Sequence, residues 1–272
     1  MKYNIEDLTL KLETGVKEVF ESDRYMNYLN VMSKFYNYSA NNTLLICLQK
    51  PEATLVAGFQ TWKNKFHRHV KKGEKAIKIL APVPHKYKKE VEDENGNMTE
   101  KEVQYISFRS VSVFDISQTE GEELPSIVKQ LDGSVENYDE LFETLKSIAN
   151  VPVNFEEITN GANGYYVPSE NRIAIKSGLS EQHTIKTLIH EISHSILHNE
   201  EGSEKDVDRR TKEVQAESVA YVVCQYLGLD TSDYSFGYVA GWSSGKEVSE
   251  LQESMEIIQK TSKEIIEKLI AA

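Results

Sequence analysis

The sequence predicts an α+β protein in two parts, and three observations carry that prediction. Apolar residues recur at helical spacing from residue 5 to residue 50, alternate with polar ones between residues 76 and 114, and return to helical spacing from residue 138. A polar stretch, Thr119-Glu-Gly-Glu-Glu-Leu-Pro125, separates the second regime from the third and reads as a linker. It divides the chain into residues 1–121 and residues 126–272. A length of 272 residues allows one large domain or two ordinary ones, with ample core either way.

In the front part, Ile5, Leu8, Leu12, Val16 and Val19 mark one helical face. Tyr25, Tyr28, Leu29, Met32, Phe35 and Tyr36 mark a second. Ser39 is placed to cap a short helix that Pro51 ends. Strands are expected over residues 76–80 and 101–108, joined by a charged hairpin tip near Glu94-Asn-Gly-Asn97, with another at 110–114. The rear part begins with an amphipathic helix over 138–149 and a strand over 151–158. A hairpin over 164–175 follows, turning at Ser169-Glu-Asn171. Ser180 is the expected cap of the next helix, and an amphipathic helix over 246–269 closes the chain.

Composition excludes some classes and complicates one. The first residues, Met1 to Asp7, hold no apolar signal core, and nowhere do eighteen apolar residues run together. Neither secretion by a signal peptide nor a membrane span is therefore expected. Cys47 and Cys224 lie in apolar runs and read as buried free thiols of a cytoplasmic protein. A net charge of −12 argues against a nucleic-acid partner. Residues 60–89, however, hold ten basic residues against the single acid Glu74, a block of +9 that leaves −21 for the remainder. Such a split points to two functions in one chain.

The chemistry is concentrated in Thr187-Leu-Ile-His190-Glu191-Ile-Ser-His194-Ser-Ile-Leu-His198. His190 and His194 stand four residues apart, on one side of a helix, where two neutral imidazoles can share a metal. Glu191, beside the first of them, can accept a proton from a metal-activated water. This is the H-E-x-x-H pattern of zinc peptidases. The bland alternative is a core helix with two satisfied histidines. An extended pattern with glycine at 197 and histidine at 200 is excluded by Leu197 and Glu200. His198 lies too far along a straight helix to complete a tetrahedron and is read as a cationic cap of the helix C-terminus.

A second apolar helix runs from Thr211 to Leu227, with Glu213 and Glu217 on one stripe beside small Ala216 and Ala220. One carboxylate would ligate the metal while the other hydrogen-bonds a ligand imidazole. The run His190-Glu-x-x-His194 followed by Glu213-x-x-Ala216-Glu217 resembles the gluzincin peptidases. That resemblance implies Glu213 as third ligand and Glu217 as the imidazole's partner, with Zn²⁺ or another divalent ion bound. Glu217 stands where Asp or Asn is usual, so the choice of ligand between the two acids stays open.

Basic residues Lys63, Lys65, Arg68, Lys71, Lys72 and Lys75 are interleaved with Trp62, Phe66, His67, His69 and Tyr87, a pattern that could hold phosphates and stack bases of a single strand. An ordinary lysine-rich loop over core aromatics is the competing reading. Tyr38-Ser-Ala-Asn-Asn42, Leu48-Gln-Lys-Pro51, Ala57-Gly-Phe-Gln-Thr-Trp62, Val70-Lys-Lys-Gly-Glu-Lys75 and Val113-Phe-Asp-Ile-Ser-Gln-Thr119 resemble the N-terminal domain of ArdC-type antirestriction proteins. The resemblance implies an element-borne antirestriction protein, with a single-stranded DNA-binding domain ahead of a zincin-like metallopeptidase domain. It implies single-stranded DNA as partner, and a protein substrate that the sequence does not name. Two alternatives accompany it: a DNA-coating protein whose metal site is structural or inactive, and a regulatory protease that cleaves a specific repressor.

Overall fold

Helix α1 (Ile5–Phe20) buries Leu8, Leu12, Val16 and Val19 of the stripe that the helical period marks, while Ile5 at its first position is exposed. It packs with α2 (Arg24–Lys34) and α3 (Ala40–Gln49). Ser39 caps α3 by accepting a hydrogen bond from the Asn42 amide. These helices belong to a computed structural model that describes residues 5–20, 24–92, 98–124 and 138–272; the expected hairpin tip at 94–97 lies outside them.

The chain then forms β1 (Val56–Gly58), α4 (Phe59–Asn64), β2 (Arg68–Val70), β3 (Ile77–Glu92), β4 (Met98–Asp115) and β5 (Thr119–Gly121). The three short strands expected between 76 and 114 are two long ones, of 16 and 18 residues, paired antiparallel from Ile77↔Val113 to Glu92↔Met98. Sheet order is β1-β4-β3, so β3 presents an edge. Two amides of α3 cover that edge as a strand would. Asn42 donates to the Leu80 carbonyl (2.9 Å) and accepts from its amide (2.8 Å). Gln49 does the same at Lys78, at 2.8 and 3.0 Å. An exposed sheet edge invites foreign pairing, and these side chains satisfy it internally. The first residues of the expected linker are β5 instead, paired with β2 from Arg68↔Gly121 to Val70↔Thr119.

After α5 (Tyr138–Ala149) come β6 (Val153–Glu156), β7 (Gly164–Val167) and β8 (Arg172–Lys176). They form a sheet of order β6-β8-β7, with β7 antiparallel to β8 and β6 parallel to it. Helices α6 (Glu181–Leu197), α7 (Arg209–Tyr226), α8 (Val239–Ser243) and α9 (Val248–Ala271) complete the chain. One apolar cluster runs from Leu8 of α1 to Ile266 of α9. Polar contacts cross it: the Tyr25 hydroxyl meets Ser218 at 2.7 Å, and Gln259 donates to the Tyr36 carbonyl at 2.7 Å. The front helices are thus part of the wall behind α7. Cys47 and Cys224 are buried free thiols, as expected. Among the described residues, no helix is long and apolar enough to cross a membrane.

Gly164 sets how closely β7 approaches α6. A methyl group there would lie 2.6 Å from Thr187 Cγ2 and 2.9 Å from the Ala174 carbonyl oxygen. Both neighbours are held by secondary structure, so neither yields cheaply. Gly164→Ala should therefore destabilise the fold by about 1–3 kcal/mol, the usual cost of overpacking, read as a lower urea midpoint with an unchanged m-value. An unchanged midpoint would show that β7 is free to move away from α6.

Candidate functional site

The two helices that carry the site are each fixed by a cap and an apolar stripe. Ser180 accepts from the His183 amide to start α6, and Ile185, Leu188, Ile189 and Ile192 bury one of its faces. Asp208 accepts from the amides of Arg210 and Thr211 to start α7, whose Ala216 and Ala220 are wholly buried. The small side chains allow α7 to lie close to α6.

At that contact His190 Nε2 and His194 Nε2 are 3.1 Å apart. Glu213 Oε2 lies 3.7 Å from the first and 3.9 Å from the second. The three residues offer ligand atoms all within 4.8 Å of one another. A tetrahedral ion with bonds of ~2.1 Å needs donors about 3.4 Å apart, so the trio fits a small divalent cation. Two imidazole nitrogens and one carboxylate oxygen suit zinc and its first-row neighbours. Glu217 takes a different position: its Oε2 is 3.0 Å from His190 Nδ1, the nitrogen facing away from the trio. Both carboxylates reach His190, but only Glu213 reaches the side shared with His194.

The groups are mutually perturbed. Burial alone would lower the pKa of His190, but the hydrogen bond to Glu217 and the charges of Glu191, Glu217 and Glu213 raise it above the usual histidine range. His194 falls to about 2, chiefly by burial and then by the neighbouring rings. Burial lifts Glu191 to about 7, against the Tyr166 amide and the His190 charge that favour its ionised form. His198 is not the expected cationic cap. It does occupy the C-cap position, but burial lowers its pKa to about 4, and its ring lies between His194 and Gln215 at 2.8 and 2.9 Å.

A cleft of about 290 Å³ opens beside this cluster, lined by Gly164, His183, Lys186, His190, Glu191, Glu217 and Asp233. Lys186, nearly buried, is held by Asp233 at 2.5 Å. The edge strand β7 forms one border of the same cleft.

The basic block is arranged differently from the sequence expectation. Trp62 is completely buried and donates its indole N–H to the Phe114 carbonyl at 2.8 Å, so it has no free face for a base. Arg68 is spent on structure, donating to Thr119 Oγ1 at 2.8 Å and to the carbonyls of Thr119, Gly121 and Glu122. Lys71 reaches the Ser117 carbonyl at 3.0 Å. Lys63, Lys65, Lys71, Lys72 and Lys75 are exposed. The loop that bears the last three is tied down by Gln118, which donates to Glu74 at 2.9 Å and to the Lys75 carbonyl at 2.8 Å.

Accessible rings lie instead on the β3–β4 ribbon, with Tyr87 and Tyr105 exposed and His85 half-buried. His85 stacks on its register partner Tyr105 with centroids 4.7 Å apart, and Tyr87 meets Tyr105 edge-on at 5.9 Å. Alternation places Lys89, Lys101 and Arg109 on the same face. The opposite face carries the ion pairs Lys86–Glu102 and Lys88–Glu100, at 2.8 and 2.5 Å. Tyr105 and His85 escaped the sequence reading because only the strand register brings them together. The alternation of His85, Tyr87 and Lys89 was the available signal.

A histidine helix and an acid-bearing helix in this contact, packed through one shared core against a front half of helices and antiparallel strands, define a metallopeptidase-like fold. Residues 5–114 match the family model of the "N-terminal domain of anti-restriction factor ArdC". Residues 111–221 match a model described as "Putative metallopeptidase family (DUF6782)". The front part thus matches the N-terminal domain of ArdC-type antirestriction factors and the rear part a putative metallopeptidase family, the two models together spanning residues 5–221. Its fold is similar to that of the antirestriction ArdC protein from the R388 plasmid. The metal-free structure of that protein is 21% identical, with a TM-score of 0.56 over 86% of each chain. The Mn(II)-bound structure is 18% identical, with a TM-score of 0.53 over 85% of this chain and 84% of that one. The "Uncharacterized protein pXO2-81" of Bacillus anthracis is 28% identical over 98% of this chain. The chain spans about half (51%) of that curated relative's length.

Burial of Glu191 makes a pH prediction for the metal-free protein. Its carboxyl titrates near 7 when folded against an ordinary 4.5. The native state therefore holds its proton more tightly, and stability present below about pH 4.5 is lost as pH rises through 7, by on the order of 3 kcal/mol. In excess chelator, Glu191→Gln should match the wild type near pH 4.5 and exceed its stability at pH 8. Equal melting curves at pH 8 would contradict the buried-acid reading.

Proposed function

We propose that this protein is an ArdC-type antirestriction factor of a mobile or conjugative element, such as a plasmid, that binds single-stranded DNA and cleaves a peptide bond at a metal centre. The observation that carries the enzymatic half is the trio of His190, His194 and Glu213 facing a common point, with Glu191 beside it. In this reading those three residues hold one divalent ion, Zn²⁺ by preference of the donor set, and Glu217 orients His190 through its Nδ1. The Mn(II)-bound relative supports a divalent ion at such a fold.

When bound, the ion supplies Lewis acidity that polarises a peptide carbonyl and makes a water easier to deprotonate. The chain's own residues do the rest. Glu191 takes the proton of the attacking water and passes it to the leaving amine, as a carboxylate beside the first ligand can. The Tyr166 amide holds the carboxylate of Glu191 toward β7. Among the described residues β7 is an edge strand, and that edge can pair with an extended peptide running along the cleft. Glu191→Gln should keep metal affinity within about threefold while lowering cleavage of a denatured protein substrate by at least ~100-fold, as removal of a general base does. Retained cleavage would remove Glu191 from this role.

For the nucleic-acid half, the reading rests on the exposed lysines and on the rings of His85, Tyr87 and Tyr105. Lysines near the strand neutralise phosphates, and the rings stack on bases that only a single strand presents. The joint change Tyr87→Ala and Tyr105→Ala should weaken single-stranded DNA binding by about 10–100-fold, with melting unchanged. Trp62→Ala should instead cost about 3–5 kcal/mol of stability, because a core indole is removed. If the double variant binds a labelled oligonucleotide like the wild type, the ribbon is not the stacking surface.

The coating alternative draws on the same ribbon and lysines. It is separated from proteolysis by comparing Glu191→Gln with charge reversal at Lys71 and Lys72 in a restriction-challenge assay. Two buried unpaired thiols suit a reducing, cytoplasmic setting for either activity.

A further inference from the structure

His198, at the C-cap of α6, has no part in the metal-binding reading. It lies buried at the end of α6, in a chain of hydrogen bonds that leads from the protein surface to His194. Gln215 Nε2 donates to Glu204 Oε2 at 2.9 Å. Gln215 Oε1 is 2.9 Å from His198 Nε2. His198 Nδ1 is 2.8 Å from His194 Nδ1.

We propose that Glu204, Gln215 and His198 form a relay that sets the tautomer of His194, so that its Nε2 presents a lone pair toward His190 and Glu213. Each link follows from what the atoms can give or take. A carboxylate only accepts, so the half-exposed Glu204 obliges Gln215 to turn its NH₂ outward. The amide oxygen of Gln215 then faces His198 and can only accept. His198 must carry its hydrogen on Nε2, which leaves Nδ1 of that ring as an acceptor. His194 must therefore donate from Nδ1. The ring then has no hydrogen on Nε2, the nitrogen that lies 3.1 Å from His190 Nε2.

The alternative arrangements fail at a named link. Reversing the Gln215 amide would set its oxygen against the carboxylate and its NH₂ against a ring that must then accept. A cationic His198 would donate from both nitrogens, oblige His194 Nδ1 to accept, and put the hydrogen of His194 on Nε2, where a metal could not bind. The relay thus explains why a neutral, buried ring occupies a helix terminus that favours a cation. His190 is oriented by a shorter route, through Glu217, whose Oε2 accepts from its Nδ1 at 3.0 Å. His198, Gln215 and Glu204 are positioning residues, acting on the metal only through His194.

The inference rests on His190 and His194 being metal ligands, and two readouts keep the two claims apart. The first is the protonation of His194 in the metal-free, ¹⁵N-labelled protein near pH 7.5, read by long-range ¹H–¹⁵N correlation of the imidazoles. The relay predicts hydrogen on Nδ1 and none on Nε2; the reverse overturns it. The second is Zn²⁺ and Mn²⁺ affinity by competition with a chromophoric chelator. His198→Phe should lower affinity by about 10–100-fold and mix the His194 tautomers, while His198→Asn, whose side-chain oxygen can replace Nδ1 as acceptor, should restore most of both. Should His198→Phe fail to fold, Glu204→Gln, at a half-exposed position, removes the directional constraint and should mix the tautomers with melting unchanged. Wild-type affinity and a single His194 tautomer in Glu204→Gln and in folded His198→Phe would refute the relay. Hydrogen on Nδ1 in a protein that binds neither ion would uphold the relay and refute the metal centre.

Discussion

The close contact between α6 and α7 is the constraint on which the rest depends. Two imidazoles on one helix make only one wall of a site, and the oxygen donor must come from another element. The helix axes can approach because Ala216 and Ala220 present almost nothing at the contact. α7 is in turn held from behind by Tyr25 of α2 through Ser218, and at its start by Trp242 of α8 through Thr211 at 3.0 Å. The spacing of 3.7 Å between Glu213 and His190 is thus set partly by residues of the N-terminal half. A mutation in α2 could loosen the cluster without touching it.

That contact gathers strongly perturbed titratable groups. Glu191 is buried enough to titrate near 7, and His194 is driven to about 2. Groups displaced this far from their ordinary values are held there by the surrounding fold, which fits the proposed catalytic site. Glu217 on His190 and His198 on His194 then divide the work of orienting the rings. One support is an anion and the other a neutral ring, so the two histidines differ as donors although their spacing in sequence makes them look equivalent.

How much was legible follows the range of the interactions. Caps act over three or four residues, and Ser39, Ser180 and the helices they start were readable, as were α5 and the hairpin turning at Asn171. Spacing of four on one helix was enough to pair His190 with His194 and to put Glu213 beside Glu217. Features set by distant partners were not readable. Trp62 looks like a stacking ring in a basic run until Phe114, 52 residues on, accepts its N–H. His198 looks like a cap until Gln215, 17 residues on, takes its hydrogen bond. The ribbon of β3 and β4 looks like three short strands because its outer part alternates charge with aromatic rings rather than polar with apolar side chains. The motif from Asp115 to Thr119 proves to be a knot of local bonds: Asp115 accepts from the amides of Thr54, Leu55 and Ser117. That knot, with Gln118, anchors the lysine-bearing loop.

The most direct test of the central claim is a Zn²⁺-soaked crystal examined for anomalous scattering on both sides of the zinc edge. The account predicts one strong site about 2.0–2.3 Å from His190 Nε2, His194 Nε2 and Glu213, with Glu217 left on His190 Nδ1. A zinc ion bound by Glu217 in place of Glu213, or lying away from both histidines, would contradict it.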